Sequence, residues 1–427
     1  MAEGYIYSEP KKGFFVSPIE NYIEDTIAKE PYKAESSNNT RNSHGPQNMD
    51  SEWTEFSDVY NYNSDDQHPV IDFISSKTPA DNFPFATWSK IMRQTLGEQE
   101  EKLLSKPSAG GVWPLREAIA RQLHNVRGIS GHPEQIIVGA GTEYLYGLIV
   151  QLLGRDKTYG LENPCSNKIR NIYQSLDVKT MPIEMDDEGI LSEQEGLKES
   201  DVIQISPSHH FPTGVVTSIS RRYAILGWAN ESDDRYIIED DYDSEFRLQG
   251  RPIPSLFSID TSGKVIYFNT FSKTLASTIR ISYMVLPYSL LERFKSALGF
   301  YSCTVSNFEQ YALATFIMDG YLERHINRMR IQYKAIRDQL IDQIKSSWLA
   351  PYISISQENA GLHFLLDIDT DMTDEQLKEK ALDMGIAVSF LSDYYDKTAT
   401  GPAYLSDRHV AVINYSGLGS SGVDLRL

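Results

Sequence analysis

The chain has 427 residues, 41% of them apolar and 23% charged, with a net charge of −19 and a pI near 4.9. That is room for one large or two ordinary globular domains, and the acidic balance argues against a broad basic surface for nucleic acid, which needs clustered Lys and Arg. Two cysteines, Cys165 and Cys303, without metal-type spacing argue against a disulfide framework and point to a reducing cytoplasm, and no apolar run approaches the roughly 20 residues of a membrane span.

Residues 5–16, YIYSEPKKGFFV, read as two short aromatic strands around the turn Pro10-Lys11-Lys12-Gly13. A lone hairpin is marginal in water, so this pair is expected to have packed on something that precedes it. Residues 18–68 are rich in Ser, Asn and acid, and read as a flexible linker. From residue 69 the composition is globular. Gly110-Gly111 precede a helix with apolar positions Leu115, Ile119 and Leu123. A short strand, Ile136 to Val138, then runs through the small-residue turn Gly139-Ala140-Gly141-Thr142 into a helix with the apolar face Leu145, Leu148, Ile149 and Leu152. A strand, a glycine turn and a helix N-terminus offer free backbone N–H groups to an anion, although such turns are more often only structural.

Strand-like runs at 158–163, 178–185, 201–206, 236–240, 265–270 and 281–287 then alternate with helical or loop segments. The alternation predicts an α/β domain with a largely parallel sheet. Residues 307–347 read as helical and as a link between two domains, and residues 352–427 as a smaller α+β domain with strands in 361–369 and 409–416 around a helix at 373–385.

The stretch from Tyr236 to Leu286 carries the chemistry. Lys273 follows a β-branched and aromatic run and sits between Ser272 and Thr274. An isolated lysine is nearly always a solvated surface group. Held neutral and aimed, however, its amine can form a Schiff base with an aldehyde cofactor. Asp240 ends the run Tyr236-Ile237-Ile238, where a carboxylate is costly without a partner. The protonated nitrogen of pyridoxal phosphate would be such a partner, and Tyr242, on the same side of an extended chain, would reach the ring's 3-oxygen. The bland reading of Asp240-Asp241 is a turn or a helix cap. Arg280, Thr270, Ser272 and the Gly141-Thr142 turn would together hold a dianionic phosphate.

The stretches IIEDDYDSEF, VIYFNTFSKTLASTIRISYMVLP, SPSHHFPTGVV with RRYAILGWA, and GGVWPLREAIARQL closely resemble the MocR-type (GABA-regulator-like) branch of the GntR transcription regulators, over roughly residues 69–420. The resemblance implies a fold-type-I aminotransferase-like architecture. A large domain at 69–330 would carry a mainly parallel seven-stranded sheet and share its N-terminal segment with a small C-terminal domain at 331–427. Residues 1–17 would be the remnant wing of a winged helix-turn-helix that the chain otherwise lacks. Lys273 would carry pyridoxal 5'-phosphate as an aldimine, with Asp240, Tyr242, Thr270, Ser272, Arg280, Gly141 and Thr142 around it, and His210 beside the ring. Ser166 stands where the family often has an aromatic residue, Lys168 where an arginine is usual, and Arg408 is the candidate to grip an effector carboxylate. The implied function is effector sensing in a cytoplasmic homodimer, with a small amino compound bonded as an external aldimine at Lys273. DNA would be contacted only through the missing helix-turn-helix. A working aminotransferase is the alternative, because its cofactor-contacting residues are all present. A scaffold without cofactor is disfavoured by the retention of Lys273, Asp240, Tyr242 and Arg280.

Overall fold

The computed structural model describes residues 6–9, 13–16, 71–75, 77–248, 253–359, 361–396 and 408–419. The chain divides into two compact units, residues 1–66 and 67–427. Of the first unit, the described part is a two-stranded antiparallel ribbon, β1 (Ile6–Glu9) with β2 (Gly13–Val16), in the register Ile6↔Val16 to Glu9↔Gly13. The proposed linker at 18–68 lies outside the described residues.

In the second unit, a short strand β3 (Ile71–Asp72) leads to helix α1 (Phe85–Glu98) and helix α2 (Trp113–Arg127). Helix α2 buries Leu115, Ile119 and Leu123, the three positions its periodicity singles out. It stops at Gly128, whose φ of +66° is the left-handed conformation that lets its N–H and that of Ile129 turn back onto the last carbonyls of the helix.

Eight strands form the main sheet: β4 (Ile136–Gly139), β5 (Thr158–Asn163), β6 (Lys179–Asp186), β7 (Gly189–Ile190), β8 (Val202–Ile205), β9 (Tyr236–Asp240), β10 (Val265–Thr270) and β11 (Ser282–Val285). Their order is β4-β11-β10-β9-β8-β5-β6-β7. The five from β10 to β6 are mutually parallel, whereas β11 runs antiparallel to both β10 and β4. The expected seven-stranded sheet is thus present, extended by the two-residue β7. Strands β5, β8 and β10 are buried at every position, as a sheet covered on both faces requires.

Helix α3 (Thr142–Leu153) follows β4, α4 (Asn167–Ser175) follows β5, and α5 (Ile219–Asn230) precedes β9. After β11 come α6 (Tyr288–Leu298) and α7 (Asn307–Met318). The helical stretch at 307–347 is broken at Gly320, where a φ of +72° separates α7 from α8 (Tyr321–Ser346). Helix α8 runs unbroken across residues 330 and 331, where the sequence reading divides two domains.

The C-terminal sheet has the order β12-β13-β16-β15, from β12 (Ile353–Ser356), β13 (His363–Ile368), β15 (Ser389–Phe390) and β16 (His409–Asn414), and is antiparallel throughout. The two-residue strand β14 (Ile386–Ala387) pairs in parallel with β3, so the start of the unit joins this end of the fold. Helix α8 packs Met329, Tyr333, Ile336 and Leu340 into the core that this sheet shares with Phe246 and Tyr415.

Candidate functional site

The carboxyl ends of the parallel strands deliver the chemistry to one cavity of about 590 Å³. Asp240 is the last residue of β9, and Asp241 the next. Their side chains leave an extended chain on opposite sides, and the structure uses both. Asp241 turns away from the cavity. It pairs with Arg127 at 2.9 Å and accepts the Tyr267 hydroxyl at 2.7 Å, with no exposed surface. Asp240 lines the cavity. Its Oδ2 accepts from the Tyr146 hydroxyl at 2.8 Å, and its Oδ1 is buried with no hydrogen-bond partner among the described residues.

The Tyr146 hydroxyl is held by a chain of donors: Tyr173 donates to Gln204 Oε1 at 2.7 Å, and Gln204 Nε2 donates to the Tyr146 oxygen at 3.0 Å. The Tyr146 ring stacks on Phe268 of β10 with centroids 5.4 Å apart. Burial pushes the Asp240 carboxyl up to about 6, against the opposing pull of the Tyr146 hydrogen bond. One carboxylate oxygen of a buried acid is thus left in want of a cationic or N–H partner.

Lys273 reaches the same cavity from a one-turn helix, Phe271–Thr274, that follows β10. Thr270 caps that turn by accepting the Ser272 N–H at 3.1 Å, and its hydroxyl also takes the Ser282 hydroxyl at 2.8 Å. The Phe271 N–H bonds Ile281 O, and His325 of α8 bonds Thr274 O at 2.8 Å, so the turn is pinned from two sides. Burial lowers the ammonium pKa of Lys273, with the Asp243 carboxylate opposing. The burial favours an amine that reacts in its neutral form.

The residues expected to hold a phosphate lie beside them. Thr142, Thr270, Ser272 and Arg280 all line the cavity. Arg280 has a φ of +51°, and its guanidinium lies where a Cβ at residue 141 would stand; Gly141, itself at φ +93°, holds a backbone conformation that favours glycine. Lys168, 65% exposed, also lines the cavity and pairs with Glu143, which in turn pairs with Arg280 at 2.5 Å. Ser166 lines it from the position preceding α4.

Other expected residues fall differently. Tyr242 lines the cavity, with its hydroxyl 3.4 Å from His209 Nδ1, and His209 is bonded to Asp243 at 2.7 Å. His210 is buried but does not line the cavity. Its Nδ1 bonds Thr213 Oγ1 at 2.7 Å, and its Nε2 lies 3.4 Å from Glu162. Burial drives it down to about 3, so it is neutral. The structure does not bring Arg408 to the cavity. It stands just before β16, half exposed, with Nε donating to Asp367 Oδ2 at 2.8 Å.

Sequence reasoning passed over Tyr146, Glu143, Glu162, His363 and Asn414, all of which line the cavity. Tyr146 carried a usable signal, being four residues from Thr142 and so on the same helix face. Glu162 is the last residue but one of β5. Burial raises its carboxyl to about 8, so it is protonated at neutral pH, and its Oε1 has no partner among the described residues.

The family description "aminotransferase class I and II" matches residues 70–395. The HTH-type transcriptional regulator YdeL of Bacillus subtilis is 33% identical, over 99% of this chain and 82% of its own length. The probable rhizopine catabolism regulatory protein MocR of Rhizobium meliloti is 31% identical, over 79% of this chain and 66% of its own. The chain belongs to the aminotransferase class I and II family, in its MocR-type regulator branch. The multiple substrate aminotransferase from Thermococcus profundus shares the fold, with a TM-score of 0.71 at 23% identity over 87% of this chain and 91% of that one. The cofactor of this MocR-type chain is pyridoxal 5'-phosphate. The site fits it: a buried carboxylate oxygen at Asp240 without a hydrogen-bond partner among the described residues, a lysine of lowered pKa at Lys273, and Arg280 with Thr142, Thr270 and Ser272 meet in one cavity of suitable size.

Proposed function

We propose that this chain is the effector-sensing and dimerisation part of a MocR-type regulator, with the cofactor bonded to Lys273 and a small amino compound as its signal. The observation that carries the reading is the unpartnered Asp240 Oδ1, set in one cavity with Lys273 and Arg280. The cofactor supplies an aldehyde for a primary amine and a pyridinium ring that withdraws electrons. Lys273 would bond it, Asp240 would accept from the ring nitrogen, Tyr242 would face the 3-oxygen, and Thr270, Ser272, Arg280, Gly141 and Thr142 would hold the phosphate. Tyr146 positions Asp240 by occupying its other oxygen.

Residues 69–330 and 331–427 are read as the large and small domains, joined by α8, with β3 shared between them. The β1–β2 ribbon is read as a wing, so DNA contact would be made through a helix-turn-helix of the kind named for the relatives. A cytoplasmic homodimer completes the reading. No described helix is long and apolar enough to cross a membrane. A second reading, an active aminotransferase, is favoured by the burial of Lys273 in the cavity, which lowers its pKa and so eases the exchange of a proton at its amine.

An absorbance titration separates the two. Pyridoxal phosphate should produce a visible band that borohydride fixes onto Lys273. A sensor shifts that band with one amine and then holds it. An aminotransferase converts it to an amine form that a keto acid restores. No band at all would remove both readings.

A further inference from the structure

The phosphate cup already contains an anion. Glu143 is the second residue of α3, and its carboxylate is held between two cations: one oxygen bonds Lys168 Nζ, and the other lies 2.5 Å from Arg280 Nη2. Lys168, Lys273 and Arg280 are the lysine and arginine residues among the described residues that line the cavity. The Glu143 carboxylate is 29% exposed, so the pairings are partly shielded from water. Burial pushes Glu143 up, but hydrogen bonds from Lys168, from its own backbone and from Arg280 outweigh that and hold it at about 2. It is therefore charged throughout the physiological range.

A phosphate aimed at Arg280 meets this carboxylate first. Arginine binds phosphate through a planar fork of donors, and one prong of this fork is already engaged. Two like charges cannot both sit within hydrogen-bond reach of one guanidinium without strong repulsion. The cup offers a charge of +2 − 1 = +1 to a dianion while Glu143 remains, and +2 once its charge is gone.

We propose that Glu143 is an internal occupant of the phosphate cup, pairing Arg280 and Lys168 until a phosphate displaces it, and that it thereby sets how tightly the cofactor's phosphate is held. The proposal rests on the cofactor reading above. It makes Glu143 a specificity-determining residue for the phosphate rather than for the ring. The exchange also reaches beyond the cup, because Lys168 lies on α4. The start of that helix holds the segment that follows β15: Cys165 N–H bonds Tyr394 O at 3.0 Å, Asn167 Nδ2 bonds Asp393 O at 2.9 Å, and Arg170 pairs with Asp396 at 3.3 Å. The simpler role for Glu143, an acid favourably placed in the first turn of α3, predicts only a small loss of stability when it is neutralised.

The test compares the full chain with E143Q, titrating each with pyridoxal 5'-phosphate and with unphosphorylated pyridoxal and reading the visible band. E143Q is expected to bind pyridoxal phosphate at least about tenfold more tightly, with pyridoxal unchanged and with inorganic phosphate competing at lower concentration. Glu143→Asp, too short to bridge both cations, should fall between the two and serves if E143Q folds poorly. A band in both proteins with equal or weaker phosphate-form binding in the variants, at unchanged thermal midpoints, overturns the proposal alone. No band with either compound removes the cofactor reading and this proposal together.

Discussion

Replacing Asp240 with Asn tests the centre of the site, and the structure predicts opposite effects on the empty and the loaded protein. Asn keeps the shape, and its Oδ1 still accepts the Tyr146 hydroxyl now bonded at 2.8 Å. What is lost is the charge. In the empty protein that charge is a burden, because burial moves the carboxyl from 3.8 to about 6. An acid whose folded pKa is raised contributes least at neutral pH. Its unfolded form ionises from about pH 4 upward, while its folded form stays protonated until about pH 6. Stability is therefore lost as pH rises through that window. At pH 7 the cost is on the order of 3 kcal/mol, and below pH 4 it vanishes. The empty Asn variant should thus melt several degrees higher than the parent at pH 7, and with it at pH 4.

With pyridoxal phosphate bound, the carboxylate gains a pyridinium partner that Asn cannot supply. Losing a charge-assisted hydrogen bond costs about 1.5–3 kcal/mol, or roughly ten- to a hundredfold in affinity. Melting curves with and without cofactor at both pH values, together with an absorbance titration, read all of this. Equal affinity and an unchanged spectrum in the variant would refute the pairing. A lower empty-state melting point at pH 7 would refute the account of the buried charge.

Lys273→Ala should abolish the borohydride-fixed adduct, read by intact mass, without unfolding the protein; an adduct that persists on another lysine would move the site. Gly141→Ala puts a Cβ at a φ of +93°, which should cost about 1–3 kcal/mol by denaturant unfolding, and pushes the Arg280 guanidinium aside, which should weaken phosphate-form binding by at least about tenfold. Arg127→Met leaves Asp241 buried without its cation, and should lower unfolding free energy by about 3–5 kcal/mol while the Asp240 face keeps its geometry. A loss under about 1 kcal/mol would show that Tyr267 alone suffices for Asp241.

The sheet and half of the site were legible because their signals are contiguous. Asp240, Tyr242 and Lys273 lie where buried strands end and Arg280 just before one begins, and a largely apolar, β-branched run that gives way to charged residues marks such a strand end. Tyr146 had only its spacing from Thr142 to mark it: its ring packs on Phe268 and Tyr173, and the partner that gives its hydroxyl a role, Asp240, comes from β9. Asp241 could have partnered the ring as well as Asp240 on sequence alone. Which of the two faces the cavity is decided by Arg127, which comes from the end of α2, more than a hundred residues away in the chain, and holds Asp241 on the other side. Arg408 shows the opposite failure. A cation near a strand start carries no directional information, and the neighbouring strand β13 supplies Asp367 as a nearer partner than the cavity. Likewise Glu143 reads as an ordinary first-turn acid until the αL turn at Arg280 brings the guanidinium over it.

The same cavity is where the two sheets meet. Asp240, Lys273 and Arg280 come from the main sheet, whereas Leu362, His363 and Asn414 come from β13 and β16 or the residues beside them, and Tyr394 from the segment after β15. The contact is close: the His209 and His363 rings lie 4.6 Å apart, and Phe211 meets both His363 and Tyr394 edge-on at 5.3 and 5.2 Å. Burial holds His363 far below its ordinary pKa, so on the small-sheet side this contact is made by a neutral ring. A ligand bonded at Lys273 and touching His363 or Tyr394 therefore contacts both sheets at once. Its binding energy biases their relative position only through contacts that differ between two arrangements. An amine too short to reach His363 should bind and shift the absorbance, yet leave the exchange protection of β13 and β16 unchanged. A longer one should raise it. If amines of every length protected those strands equally, the cofactor alone would be closing the site, and the amine would not be the signal.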